Sequence, residues 1–274
     1  MIISYKSTRT EEAFGFDDLD ASLNSSDLAG WKWDSSSLNG HSRYSRNAQE
    51  MKATLSFFDA DSAAAFMALI DADTEAGVEG ILTVTGWSIH GNISAGSLSW
   101  KTQDGLAAQY EVTFRSDWPI WYRDAGSWSF PASSASGSGG LDYPHDYPFD
   151  FCPPPSGRKT ITVDSICACE FEIVVYGAAT NPSITINGIT HEVDCSVPSG
   201  SLLFVNSLNN KRSIPGTSIF LRDSAGSITN EYGKQNRSSD VFARIEPGDN
   251  VITWTGLFGF DLMLYETRGI RPWM

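Results

Sequence analysis

The sequence offers few histidines from which to build a metal site or a general base. They are His41, His90, His145 and His191. None belongs to an HExxH motif, to a pair four residues apart or to a Cys-His spacing, the patterns that place zinc ligands on one element. We therefore expect no metal site, no cofactor and no metal-dependent catalysis.

Residues 17–24, DDLDASLN, look like the start of a calcium-binding loop. The alternating oxygen-bearing residues are Asp18, Asp20, Ser22 and Asn24. A calcium loop of this type also needs a glycine at its sixth position and a bidentate glutamate at its twelfth. Leu23 and Ala29 occupy those positions, so the pattern favours a solvated acidic loop.

The sequence lacks the motifs of nucleophilic catalysis and of phosphate binding. It contains no GxSxG elbow, no Walker loop and no GxGxxG after a strand, and the glycines of residues 137–140 precede prolines instead of a helix. His145 with Asp146 and Asp150 lies in a proline-rich stretch that keeps these groups apart. We expect no enzymatic activity. A hydrolase with an unrecognised carboxylate pair stays as an alternative, because such a pair is defined by its separation in space.

Tryptophans are the more informative side chains. Trp254 could stack on a sugar, but strand alternation puts it on the same face as Ile252, which favours a position in the core. Five further tryptophans of the first half fall at predicted strand ends and in loops. Half-exposed tryptophans often anchor interfaces, so these are candidate oligomer-interface residues: Trp31, Trp33, Trp118, Trp121 and Trp128.

One amphipathic helix is predicted near the middle of the first half. Its apolar residues, spaced i, i+3, i+4 and i+7, are Ala63, Phe66, Met67 and Ile70. Asp59 or Asp61 can cap its first turn, and Gly77 can end it. Strands are predicted around it at 53–58, 80–86, 96–100 and 108–116. We therefore interpret residues 1–130 as an antiparallel sheet or split barrel covered by one helix.

Residues 131–158 form a predicted linker, rich in Gly, Ser, Pro and aromatic residues without a period of 2 or 3.6. Within it the strip LDYPHDYPFDF is stiffened by prolines. We expect this strip to dock on one or both domains and to fix their relative position, through Tyr143, Pro144, Tyr147, Pro148, Phe149 and Phe151.

Residues 159–274 contain short strand patterns separated by turns, and no helix pattern. Asn187-Gly188 is a strong two-residue hairpin signal. The predicted strands are 159–164, 169–177, 182–188, 189–194, 201–207, 217–223, 239–248, 250–256 and 260–266. This spacing is typical of a β-sandwich. The fold class expected for the whole chain is mainly β.

Charge and composition limit the partners. The 274-residue chain has a formal net charge of −14, which disfavours specific binding to nucleic-acid phosphates. No secretory signal or membrane-spanning stretch is visible, so we expect a protein that stays in solution. The cysteines, Cys152, Cys167, Cys169 and Cys195, show no disulfide or zinc spacing.

Several segments together resemble the distal tail proteins of long-tailed, non-contractile bacteriophages. The strip LDYPHDYPFDF after a Gly/Ser stretch carries most of this resemblance. The predicted helix, GILTVTG and SDWPIWYRD follow in the same order in the first half. In the second half, PSITINGITHEV, SLLFVNS, RIEPGDNVITWTG and FDLMLYETRGIRPWM are similar to a galectin-like second domain of these proteins.

The resemblance implies a structural hub of the virion. In that family the first domains form a hexameric ring around the tail channel, between the tail tube protein and the tail-tip protein, and the sandwich domains in many members hold receptor-binding proteins or fibres. It implies a protein of the phage tail tip that is assembled in the host cytoplasm. DNA would pass through the lumen of its ring. We further expect acids of the first domain, within residues 11–34, to line that lumen. The second domain lacks an HxNxR run, so protein docking is favoured over sugar binding.

The alternative interpretation is a carbohydrate- or receptor-binding β-sandwich module of a phage tail or baseplate. It predicts a monomer or trimer with glycan affinity, whereas a hub predicts six copies without it.

Overall fold

The structure, a computed structural model, describes residues 3–16, 21–26, 34–38, 41–45, 47–104, 107–132, 157–208 and 218–270, with the backbone alone between residues 17 and 46. In this part of the chain the first strands are β1 (Ile3–Ser7), β2 (Ala13–Gly15), β3 (Ala21–Ser26), β4 (Asp34–Leu38), β5 (His41–Ser45) and β6 (Gln49–Phe57). Helix α1 (Ala60–Glu75) follows, and then β7 (Gly80–Val84), β8 (Trp87–Lys101), β9 (Ala108–Ser116) and β10 (Trp121–Phe130).

The remaining strands are shorter on average. They are β11 (Gly157–Val163), β12 (Glu170–Tyr176), β13 (Ala179–Thr180), β14 (Ser183–Ile186), β15 (Ile189–Glu192), β16 (Ser196–Val197), β17 (Leu202–Asn206), β18 (Ile219–Arg222), β19 (Ile228–Asn230), β20 (Gly248–Trp254) and β21 (Phe260–Arg268). Among the residues that the structure describes, a 3-10 turn covers Tyr232–Lys234. The prediction of a mainly β fold is confirmed.

The chain forms two compact units. Unit 1 comprises Met1–Arg123 with Thr267–Met274, and unit 2 comprises Asp124–Glu266. This division differs from the predicted one, which put the boundary at residues 131–158 and assigned the whole carboxyl terminus to the second domain. The chain passes from unit 1 to unit 2 within β10 and returns within β21, so the division falls inside strands, where no local composition signal marks it.

Unit 1 contains two antiparallel sheets that share β8. Sheet I has the strand order β3-β6-β9-β8, and sheet II has the order β2-β1-β7-β8. A separate hairpin joins β4 to β5. The expected sheet or split barrel therefore exists as two sheets joined along one long strand.

Helix α1 agrees closely with the sequence pattern. The carboxylate of Asp59 caps it by accepting a hydrogen bond from the backbone N–H of Ser62 at 2.8 Å, as N-cap side chains do. Gly77, with φ +63°, follows its last turn. The helix buries Phe66 and Ile70 in the core of unit 1.

One aromatic cluster holds the helix against both sheets. The ring of Phe66 contacts the rings of Tyr5, Phe16 and Phe57 at centroid distances between 5.2 and 6.2 Å. Edge-to-face and tilted contacts of this kind add about 0.5–1.5 kcal/mol each to area burial. Below this cluster Asp73 of the helix is also buried, and it accepts hydrogen bonds from Ser7 and Tyr5 of β1.

Unit 2 is a two-sheet sandwich, as predicted. Sheet III has the order β19-β18-β17-β12-β21, and sheet IV has the order β11-β20-β14-β15. Their facing residues form one core that includes Phe171, Leu203 and Leu262 from sheet III and Ile184 and Ile252 from sheet IV. The expected hairpin turn at Asn187-Gly188 joins β14 to β15. Both turn residues have positive φ, +49° and +84°, which a type I′ turn requires.

The predicted strand at 239–248 is wrong for most of its length. Only Ile245 makes an isolated bridge, to Cys169, and β20 begins at Gly248. The side chain of Asp240 accepts a hydrogen bond from the backbone N–H of Phe242 at 3.1 Å. Such local bonds compete with a strand ladder.

Candidate self-association surface

Strand β8 changes partner along its length. Residues Trp87 to Gly91 pair with β7, and Asn92 to Lys101 pair with β9. A Cβ atom at Gly91 would lie 2.9 Å from the carbonyl carbon of Arg115 in β9, and closer still to its carbonyl oxygen. Glycine therefore lets β9 approach at the point of change.

Sheet I has two unpaired edges within the described part of the chain. Strand β3 pairs with β6 and with no other described strand. Between residues 92 and 101, strand β8 pairs with β9 on one side and with no described strand on the other side. An unpaired edge exposes a row of backbone N–H and C=O groups that readily pair with another strand. The two edges lie on opposite sides of the sheet and belong to different strands.

The open edge of β8 is also exposed on both of its faces. All eight residues from 94 to 101 are exposed, although a strand that covers a core normally hides every second side chain. Two of them are large and apolar: the exposed fraction is 47% for Leu98 and 56% for Trp100. Phe58, at the same end of sheet I, is exposed as well. Large apolar side chains exposed on an unpaired strand edge are typical of a surface that is covered in an assembly.

In unit 2, one edge of sheet IV is covered by a loop. Strand β15 is the edge of sheet IV, and the segment 235–239 crosses it. The N–H of Asn236 donates to the carbonyl of Glu192 at 3.0 Å, and the N–H of Thr190 donates to the hydroxyl of Ser239 at 3.2 Å. Covering an edge with a loop is a common protection against strand pairing. Unit 1 thus has the open edges that this part of unit 2 lacks.

The face of sheet I that points away from the core is polar. In β6 the exposed Glu50 and Lys52 alternate with buried residues, and in β9 the exposed Glu111 and Arg115 do the same. The guanidinium of Arg115 lies 3.8 Å from the carboxylate of Glu50 and 3.4 Å from that of Asp117. This face therefore carries mixed charge.

The candidate interface tryptophans have different positions. Trp118 is exposed at 40%, whereas Trp121 is exposed at 2% and belongs to the core of unit 1. Trp128 packs against the core of unit 2. Trp121 therefore does not lie on the surface of this chain, because strand β10, which the sequence interpretation missed, turns its ring inward. Trp31 and Trp33 lie outside the described residues.

Trp100, the most exposed of the described tryptophans, was not among the candidates. The sequence carries part of the signal, because GSLSW was predicted as a strand that contains two large apolar residues, Leu98 and Trp100. Regular alternation would put both on one face, whereas a bulge between them puts them on opposite faces. The structure shows that irregularity between these two residues. The predicted docking strip 141–151 and the calcium-like stretch 17–24 lie outside the residues whose side chains are described.

The described regions contain few arrangements of side chains that could bind a metal ion or a small ligand. No group of three or more His, Cys, Asp or Glu side chains there is arranged to hold a metal ion. Nor is any helix in them long and apolar enough to cross a membrane. His191 is buried, with its Nδ1 2.8 Å from the carbonyl of Val241, and burial lowers its pKa. Trp254 is partly buried and packs against Phe130 and Phe260 at 5.4 and 5.5 Å, beside the core of unit 2.

Solved structures show where this fold occurs. The crystal structure of the SPP1 Dit protein, described as a paradigm of the hub adsorption apparatus in phages that infect Gram-positive bacteria, matches 98% of this chain and 100% of its own, with a TM-score of 0.51 and 10% identity. The chain has a Dit-like fold.

Chains of a phage baseplate share this Dit-like fold. A chain of the phage P2 baseplate in its activated conformation with Ca matches with a TM-score of 0.58, and one from the corresponding structure with Sr matches with 0.59. In both cases the identity is 9%, and the match covers 99% of this chain and 100% of the other. No family model matches the sequence, and no curated protein matches it either. The likeness is therefore one of fold, extends over both units, and is nearly invisible in the sequence.

Proposed function

We propose that this chain is a structural protein of a phage tail hub, and that it assembles into a closed ring of six copies through the edges of sheet I. The Dit-like fold over nearly the whole chain supports the hub role. The observation that carries the ring is the pair of unlike open edges, β3 and β8, on one four-stranded sheet.

Unlike edges favour a ring over a two-fold dimer. If the β8 edge of one copy pairs with the β3 edge of the next, each interface joins two different surfaces, and such head-to-tail contacts produce a ring when the rotation closes. Closure also removes every free edge of sheet I, which is how barrels prevent uncontrolled strand pairing. Leu98 and Trp100 then lie at each junction.

The size of the ring follows from strand geometry. Six copies with four strands each give a barrel of about 24 strands. With a strand spacing of ~4.8 Å and a tilt of about 40°, its backbone diameter is roughly 48 Å. Side chains on the inner wall narrow the bore but leave a channel wide enough for a double helix.

Packing also supports an assignment of the inner and outer faces of the proposed barrel. Sheet I packs one face on α1 and sheet II through the core of unit 1. Packed layers lie about 10 Å apart, so six such layers would fill a bore of this size. The core face therefore points outward, and the polar face with Glu50, Lys52, Glu111 and Arg115 lines the channel.

This arrangement gives the two units different roles. Unit 1 builds the ring, with the tail tube protein on one side and the tail-tip protein on the other. Unit 2, whose β15 edge is covered, is available to receptor-binding proteins or fibres. The role is that of a virion component at the tail tip, assembled in the host cytoplasm, and it requires no catalysis and no cofactor.

The mass of the purified protein tests the proposal. One chain has a mass of 29.9 kDa, so six copies give about 179 kDa, which mass photometry separates easily from a monomer. The double variant Leu98→Ser, Trp100→Ser should shift the protein towards monomers. Loss of one tryptophan anchor costs about 2–4 kcal/mol at an interface, which is about 30- to 700-fold in affinity.

Leu257→Ser is the matched control, because Leu257 is exposed at 69% but lies in unit 2. It should leave the mass unchanged. A wild-type protein that is monomeric or trimeric and binds glycans would contradict the ring and favour the alternative of a carbohydrate-binding module.

A further inference from the structure

Unit 2 contains an open cavity of about 350 Å³. Strands β13 and β16, which pair with each other, form one wall, and the turn between β20 and β21 forms another. Val197 and Phe258 line the cavity and belong to the buried core of unit 2, whereas Leu257 lines it with 69% of its surface exposed. None of the described residues that line it is charged. The cavity therefore offers an uncharged and largely apolar site to a ligand.

A few polar side chains lie among these apolar residues, namely Thr180, Asn181, Ser196 and Thr255. They can donate hydrogen bonds to the carbonyl oxygens of an extended chain, which a proline-rich peptide leaves free because it makes no internal hydrogen bonds. Such peptides are often recognised in apolar grooves, since their stiffness reduces the entropy lost on binding. A volume at the lower end of the range of ligand pockets suits inserted side chains. The cavity thus has the character of a site for a proline- and aromatic-rich peptide.

The chain leaves the described part of unit 2, and enters it again, next to this cavity. At the point of exit, Ala132 lies against Gly259, where an added Cβ atom would be 3.2 Å from the backbone nitrogen of Ala132. At the point of entry, Gly157 pairs with Trp254. Trp254 and Gly259 flank the turn 255–258, which contributes three residues to the cavity. The intervening segment is therefore anchored on both sides of one cavity wall.

This segment contains the strip LDYPHDYPFDF, residues 141–151, which lies outside the described residues. An extended chain spans about 20 Å between Phe151 and Gly157 and about 36 Å between Ala132 and Tyr143. Aromatic residues at both ends of the strip can therefore reach the cavity. No other ligand of matching composition is needed, because the chain itself supplies one.

Covalent attachment also strengthens a weak contact. A peptide tethered next to its site has an effective concentration on the order of 1 mM. A strip whose dissociation constant as a free peptide is about 100 µM would then be docked in about 90% of molecules. One or two inserted rings are therefore enough to hold it.

We infer that the cavity of unit 2 binds the strip 141–151 of its own chain, with aromatic rings of the strip inserted beside Leu257. This docking is independent of the proposed ring, because it takes place within one chain and changes no contact between copies. The variant Leu257→Ser should accordingly release the strip and leave the mass of the assembly unchanged.

Cleavage by chymotrypsin measures whether the strip is docked. The protease accepts an aromatic residue in a hydrophobic slot. Phe149 and Phe151 are cleavable because no proline follows them, whereas Tyr143 and Tyr147 each precede a proline. Brief digestion of the full-length protein, followed by mass spectrometry, gives the rate of cleavage after the two phenylalanines. That rate follows the undocked fraction when docking is fast relative to cleavage.

Leu257→Asp places a charge in the apolar wall of the cavity and should raise the cleavage rate about 10-fold, to the rate of an undocked strip. Ser196→Asp, on another wall, should act in the same direction. Leu257→Met keeps an apolar side chain of similar volume and should preserve slow cleavage. The matched control is Ile166→Asp, because Ile166 is 83% exposed in unit 2 and does not line the cavity. The control should be cleaved as slowly as the wild type.

A 10-fold acceleration in Leu257→Asp, with slow cleavage of the control and a native circular dichroism spectrum for both, would support the docking. Equal cleavage of wild type and Leu257→Asp would overturn it, because the strip would then be undocked or bound elsewhere. Protection that disappears when wild type is diluted to monomers, as followed by mass photometry, would assign the strip to a second copy and would also overturn it. Failure of the ring is read separately, from the mass of the undiluted protein.

Discussion

Replacing Gly91 by alanine tests whether the close approach of β8 and β9 holds unit 1 together. The new Cβ would lie 2.9 Å from the carbonyl carbon of Arg115, nearer to its oxygen, and 2.8 Å from the ring of Phe114. Backbone atoms cannot move aside like the end of a flexible side chain. Overpacking of this kind costs about 1–3 kcal/mol, and we expect the upper value because a strand must shift.

The expected change in melting temperature follows from the size of unit 1. It contains about 130 residues, which at ~2.1 cal/mol/K per residue gives an unfolding entropy of about 0.27 kcal/mol/K. A loss of about 3 kcal/mol therefore lowers the midpoint of unit 1 by about 11 °C. Differential scanning calorimetry with far-ultraviolet circular dichroism measures this shift.

Gly96 in the same strand is the matched control. A Cβ there would meet no atom closer than 3.8 Å, from the side chain of Val112. Gly96→Ala should be neutral or should stabilise by about 0.4–1 kcal/mol, because alanine restricts the unfolded chain. If Gly91→Ala is as stable as Gly96→Ala, the account of β8 as a strand held tightly between two sheets is refuted.

Three further predictions concern buried polar groups, each measured by urea unfolding. Asp73→Ala should destabilise unit 1 by about 3 kcal/mol, because it leaves the hydroxyls of Tyr5 and Ser7 buried without their acceptor. Asp73→Asn keeps an acceptor and should cost less. Equal losses of stability in the two variants would contradict this reason. Burial and then Asp73 raise the pKa of Tyr5 above its ordinary value of 10.0, so its contribution is intact below pH 10 and is lost as the pH rises further; Tyr5→Phe should remove that loss. Burial lowers the pKa of His191 from 6.5, so the contribution of its neutral ring to the free energy of unfolding is present above pH 6.5 and is lost as the pH falls. His191→Gln should flatten the dependence of stability on pH on the acid side. An unchanged dependence would contradict this prediction.

Much of unit 2 could be predicted because its signals are local. Short alternating strands and the Asn187-Gly188 turn depend on neighbours in sequence, and strands β14 and β15 appear where they were expected. The failure at 239–248 has a physical reason. Polar side chains such as Ser239 and Asp240 bond to backbone groups, and the segment covers a sheet edge instead of extending it.

Unit 1 was harder because its organisation depends on pairing between distant strands. The alternation of Trp87, Ile89 and Ile93 is a strand signal, yet only the end of β8 was predicted. The hairpin of β4 and β5 was missed, although Asn39-Gly40 between them is a strong two-residue turn signal. The open edges of β3 and β8 cannot be read from one sequence, since an edge is defined by the absence of a neighbour in space.

The central claim is that copies of this chain join β3 to β8 and close a six-fold barrel. Electron cryomicroscopy of the purified assembly tests it most directly, because the strands and their neighbours are resolved together. We predict a barrel of about 24 strands with β3 of one copy beside residues 92–101 of the next, α1 outside, and Arg115 on the bore. A reconstruction with these edges unpaired, or with α1 towards the axis, would contradict the account.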